Sequence, residues 1–132
     1  QENIMAVTEL AQRHGIKVLL CSILPVSDYP YLAQQSGRAP ETAPAGGRGG
    51  RGPIMRQRMT VTRPPEDILR INAWMKQYAS EAGATYVDYF SALVDEKGWL
   101  KDGLANDGLH PTADGYKIMA PIVSAALDNI VK

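Results

Sequence analysis

The spacing of apolar and polar positions changes character along the chain, and each change marks an element. From Glu2 to His14 the apolar residues Ile4, Met5, Val7, Leu10 and Ala11 recur at helical spacing. Gly15 follows where a helix stops, and His14 falls in the last turn, where a cationic ring meets the helix dipole favourably. Ile16 to Ile23 is nearly continuous apolar sequence rather than an alternation, which predicts a parallel strand covered on both faces, ended by Pro25. Pro64 and Pro65 followed by Glu66 and Asp67 announce a second helix, its acids set against the dipole of the first turn. Ile68, Leu69, Ile71, Met75, Tyr78 and Ala82 form its predicted buried stripe, and Gly83 closes it. Thr85 to Phe90, rich in β-branched and aromatic residues, predicts a second strand. Thr112 then caps a last helix running to Lys132, with Tyr116, Met119, Ile122, Val123 and Leu127 inward and Pro121 disturbing one turn.

Helices alternating with two strands predict an α/β domain, the back portion of a three-layer α/β/α sandwich with a parallel sheet. A strand covered on both faces and left at an open edge would be an aggregation liability. Further strands are therefore expected to precede residue 1, in an upstream segment of the same protein.

The 132 residues suit one domain, 1–132. With 14 basic and 14 acidic residues the formal charge is zero, which gives no field to attract nucleic acid or a membrane surface. No apolar run approaches the roughly 18 residues of a membrane span. Nothing in the residues fixes a compartment, and a secreted or periplasmic location would need an upstream signal peptide. The single cysteine, Cys21, excludes a disulfide within the chain and a cysteine-rich metal site, and its apolar neighbours predict a buried thiol. Residues 31–63 break the pattern. Glycine and proline crowd this stretch, and Arg38, Arg48, Arg51, Arg56, Arg58 and Arg63 face one acid, Glu41. Such a segment buries little apolar area against its ordering entropy and is expected to be a mobile loop. With no aromatic residue within the Gly/Arg run, it lacks the stacking platform of an RNA-binding segment.

The chemistry concentrates in Asp107-Gly108-Leu109-His110-Pro111, before the last helix. A turn through Gly108 can fold the carboxylate back onto one imidazole nitrogen and leave the other facing a cleft, the arrangement a general base requires. Simpler readings stand beside it: Asp107 holding loop amides, His110 capping the helix, or both ligating a metal. A metal would need further ligands, and the only other histidine, His14, lies on the first helix and reads as a helix-end residue. No metal and no cofactor is expected.

The run from Asp107 to Tyr116 resembles the last block of the SGNH (GDSL-type) hydrolases, in which an Asp and a His three residues apart join a serine as catalytic triad. The resemblance extends to Val18–Pro25, to Ile71-Asn72-Ala73-Trp74 and to Tyr86-Val87-Asp88-Tyr89. It implies a flavodoxin-like fold, a serine esterase acting on small esters (acylated carbohydrates among them), Asp107 and His110 as catalytic residues, and Leu109 lining the acyl side of the cleft. The family's Gly-Asp-Ser nucleophile block and its Gly-x-Asn-Asp block are absent here. Ser22, Ser27, Ser36, Ser80, Ser91 and Ser124 all lack that setting. The resemblance therefore implies that residues 1–132 are the C-terminal part of a single SGNH hydrolase domain, with nucleophile and oxyanion hole outside this chain. The alternative is an α/β module that uses the scaffold for binding or assembly.

Overall fold

A computed structural model of the protein describes residues 1–37 and 57–131. The elements run α1 (Glu2–Arg13), β1 (Leu19–Cys21), α2 (Tyr29–Gln35), α3 (Met59–Thr62), α4 (Pro65–Ala82), β2 (Thr85–Val87), α5 (Phe90–Leu93) and α6 (Ala113–Val131). Among the described residues β1 and β2 form a two-stranded parallel sheet, in the register Leu19↔Thr85, Leu20↔Tyr86, Cys21↔Val87.

Both strands are shorter than the apolar runs that predicted them, and side chains from elsewhere explain why. At the exit of β1, Asn72 of α4 takes over both backbone groups of Ile23. Its Oδ1 accepts the Ile23 N–H at 2.8 Å and its Nδ2 donates to the Ile23 carbonyl at 2.8 Å. After β2, the Ser22 hydroxyl oxygen accepts the N–H groups of Tyr89 and Phe90, each at 2.9 Å. That turns residues read as strand into the start of α5.

Helix α4 begins at Pro65 with Glu66 and Asp67 in its first turn and ends at Gly83, φ +68°, as its sequence signals require. Its buried face is Ile68, Asn72, Met75, Tyr78 and Ala79. The expected Leu69 is 52% exposed, because it sits about 100° around the helix from Ile68. On α6, Ile118, Met119, Ile122, Val123 and Ala126 pack on a core of Val87, Tyr89, Leu93, Leu100 and Ala105. Tyr116 and Leu127, expected inward, are exposed, and Pro121 is accommodated inside the helix. Helix α1 is fixed to α4 by Gln12, whose Nε2 donates to the Ala82 carbonyl at 2.6 Å. It buries Thr8, while Val7 and Leu10 face outward.

Cys21 is exposed, not buried as the apolar run suggested. Among the described residues β1 is hydrogen-bonded to β2 alone, so a strand expected to be enclosed is an outer strand here. The stretch read as one irregular loop carries a helix at either described end. Tyr29-Pro30 opens α2, with proline in the first turn where its missing N–H costs nothing, and Met59–Thr62 forms α3. Arg38, Arg48, Arg51 and Arg56, and the mobility expected of the Gly/Arg run, lie outside the described residues. No described helix is long and apolar enough to cross a membrane.

Candidate active site

Asp107 and His110 meet in a turn between the sheet and α6. Asp107 Oδ1 accepts the N–H of Leu109 at 2.9 Å and of His110 at 2.8 Å, closing a turn of the kind a short acidic side chain builds on its own backbone. The other oxygen, Oδ2, lies 2.6 Å from His110 Nδ1. One carboxylate thus shapes the backbone and holds the ring. The left-handed conformation of Gly108, φ +76°, makes this geometry available. A bridge between Ala105 and Pro111 closes the base of the loop, and Thr112, at the mouth of α6, donates its N–H to the Leu104 carbonyl at 2.8 Å.

Burial pushes the Asp107 carboxyl upward, but the hydrogen bonds from the His110 ring and from the His110 and Leu109 amides outweigh it. The net shift is downward, so the carboxylate is held ionised. With Nδ1 committed to that carboxylate as donor, the neutral ring carries its lone pair on Nε2. The His110 side chain is 78% exposed, so Nε2 is open to an incoming group. The arrangement can take a proton from a nucleophile and return it to a leaving group.

A second strand-end loop braces this turn. The Ser27 N–H donates to the Gly108 carbonyl at 2.9 Å. A Cβ on Gly108 would stand 2.2 Å from the Ser27 carbonyl oxygen and 3.3 Å from Met59 Cγ, so only glycine fits. Leu109, expected to face an acyl group, is half-buried and packs with Met59 and Val94 on the cluster of Val26, Ile68 and Phe90. His14 caps the far helix α1 and is exposed.

Several serines have structural duties. Ser22 and Ser27 are buried, Ser22 holding the start of α5. The Ser91 hydroxyl donates to Asp88 at 2.7 Å and that of Ser36 to the Ala33 carbonyl at 3.0 Å.

Sequence reasoning passed over a cluster beside α2. Tyr29 donates to Asp95 Oδ2 at 2.6 Å and meets Trp99 edge to face, and Lys97 Nζ stands 5.1 Å above the Tyr29 ring. A cavity of about 570 Å³ opens there, lined by Tyr29, Val94, Asp95, Glu96, Lys97 and Lys101. The only signal for it in the sequence is a group of aromatic and charged residues split between positions 29 and 95–101.

The chain thus combines an α/β framework with a parallel sheet and a trailing loop that holds an ionised Asp against a His. A model of the GDSL-like Lipase/Acylhydrolase family matches residues 1–118, and the chain belongs to that family. A protein described as an acylhydrolase from Bacteroides fragilis is similar in structure, with TM-score 0.72 and 25% identity over 99% of this chain and 51% of its own. A GDSL-like lipase from Bacteroides thetaiotaomicron gives 0.69 and 27%, over 98% of this chain and 51% of its own. The esterase domain of a zebrafish retrotransposon protein, at 15% identity and TM-score 0.57, covers 97% of this chain and 56% of its own and shares the fold. The chain spans about half the length of the solved structures it matches. No curated protein matches it.

Proposed function

We propose that Asp107 and His110 are the acid and base of a serine ester hydrolase, an acyl esterase whose substrate classes include acylated carbohydrates. The observation that carries this reading is the 2.6 Å contact between His110 Nδ1 and Asp107 Oδ2, made while Nε2 stays open. A serine attacks the ester carbonyl as His110 Nε2 removes its hydroxyl proton, and Asp107 compensates the imidazolium. The tetrahedral intermediate collapses, the C–O bond to the alcohol breaks, and His110 protonates the departing oxygen. Water then attacks the acyl-serine with the same histidine as base, releasing the acid. Leu109 contributes apolar surface on the acyl side.

In this reading the serine and the oxyanion donors belong to a part of the fold outside these residues. The missing Gly-Asp-Ser tripeptide supports that view, as do the half-length match to the solved structures and the exposed Ile16 and Ile23 flanking the outer strand β1. The test compares short-chain aryl ester hydrolysis by these 132 residues with that of the protein extended by its preceding residues. The extended protein should turn over, the 132 residues should not, and His110→Ala and Asp107→Asn should each lower kcat by roughly 10⁴-fold. Serine-dependent turnover by the 132 residues alone, or full activity of His110→Ala, would overturn the assignment.

A further inference from the structure

The carboxylate of Asp28, at the start of α2, is fully buried, and among the described residues its partners come from outside that helix. Thr60 donates to it twice, from its N–H at 3.1 Å and its hydroxyl at 2.6 Å, and Arg58 Nε stands 3.4 Å away. A buried carboxylate is retained only where such partners compensate its lost hydration. These partners come from the start of α3, a helix of 4 residues, too short to hold its shape alone. Asp28 therefore fixes where α3 lies.

Two contacts lead from this clasp to the Asp107–His110 turn. Met59, between the two residues that grip Asp28, supplies the Cγ that stands 3.3 Å from the Cβ position of Gly108. Ser27, bonded covalently to Asp28, supplies the N–H held by the Gly108 carbonyl and the carbonyl oxygen that leaves Gly108 no room for a side chain. Ser27 and Met59 thus both stand against the face of Gly108 where a Cβ would project, and Gly108 is the residue whose left-handed backbone folds Asp107 onto His110.

We propose that Asp28 is a positioning residue for the Asp107–His110 pair, acting on Gly108 through Thr60 and Met59 and through Ser27. The kinetic part of this inference rests on the esterase reading; the geometric part does not. It assigns work to a buried acid that the proton transfers leave unused, and it couples the region around α3 to the catalytic turn.

The test uses Asp28→Asn and Thr60→Val, the second keeping side-chain shape while deleting one hydrogen bond, with Arg70→Ala on the exposed face of α4 as control. In the extended protein both clasp variants should lower kcat roughly ten- to hundredfold, the scale expected when a reacting group is misplaced, with KM within about twofold. In labelled protein the His110 Nδ1–H signal should broaden, and the Ser27, Leu109 and His110 amides should exchange faster, while amides in the middle of α6 keep their protection. Arg70→Ala should change none of these. If Asp28→Asn does not fold, Thr60→Val carries the test alone. A folded Thr60→Val with unaltered ring signal and amide exchange would overturn the proposal, and so would lost turnover with an unaltered ring signal. Should the wild-type extended protein hydrolyse no ester, the esterase reading fails, and the ring and amide measurements still decide the role of Asp28.

Discussion

Asp107 and His110 are joined twice, once through the backbone and once through the side chains. Oδ1 accepts the His110 N–H at 2.8 Å while Oδ2 lies 2.6 Å from the ring Nδ1. The same ionised group therefore sets the path of the chain and the orientation of the imidazole.

That double role has a pH signature. The Asp107 carboxyl is held below the ordinary carboxylate range, its burial opposed and outweighed by hydrogen bonds from the His110 ring and from the two amides. A depressed folded-state value means that the stabilisation is present at neutral pH and lost as the pH falls through that value. The Leu109 and His110 amide resonances should titrate together with a midpoint below the usual carboxylate range. Asp107→Ala should abolish that titration and speed exchange of both amides by about fivefold, the effect of losing a hydrogen bond of about 1 kcal/mol. A midpoint above the ordinary range would contradict the geometry.

Gly108→Ala should cost at least about 2 kcal/mol, since alanine at a positive φ is strained and the added methyl meets a carbonyl oxygen that only a backbone shift can move. Chemical denaturation measures the loss. Gly83→Ala is the comparison, because its φ is also positive but its Cβ would meet nothing within 4 Å. Equal losses at the two positions would mean that the Ser27 contact does not constrain the turn.

At high pH the weak point lies elsewhere. The Tyr29 phenol is pushed up to about 12, first by the hydrogen bond it donates to Asp95, then by burial and by the charges of Asp95 and Asp102. A raised folded-state value contributes stability that is fully present below the ordinary phenol value near 10 and is lost as pH rises through the folded one. The tyrosinate absorbance titration of the wild type should contain a late step that Tyr29→Phe lacks. The wild type's advantage over Tyr29→Phe in denaturant should likewise vanish between about pH 10 and 12. Superimposable titration curves would remove Tyr29 from this role.

How far the sequence could be read depended on how far apart the interacting residues lie. Helix α4 was legible because Pro65, Glu66, Asp67 and Gly83 carry its ends within its own sequence. The Asp107–His110 pair was legible for the same reason, since a carboxylate three residues from a ring, with glycine between, needs no distant partner to find it. The strands were overextended because Asn72 and Ser22, which stop them, act across the fold. The burial of Cys21 was misjudged because an apolar run reports what a strand could be covered by, not what lies beside it. Asp28 gave no signal at all: its partners stand on the far side of a glycine- and proline-rich stretch, where neither spacing nor periodicity connects them.

The pairing of Leu19 with Thr85 also sets an order of events in folding. Helix α4, β2, α5 and α6 are neighbours in sequence and can assemble through local contacts. The strand register instead requires residues 19–21 to find residues 85–87 across the long stretch of chain that precedes α4. Parallel pairings of such high contact order form slowly, because the entropy of closing the loop is lost before the contacts reward it. The turn at Gly108 needs Ser27, which follows β1, so it acquires its brace only once that strand has docked. The Asp–His pair can close early on its own local bonds, but its support from the first part of the chain is a late product of folding.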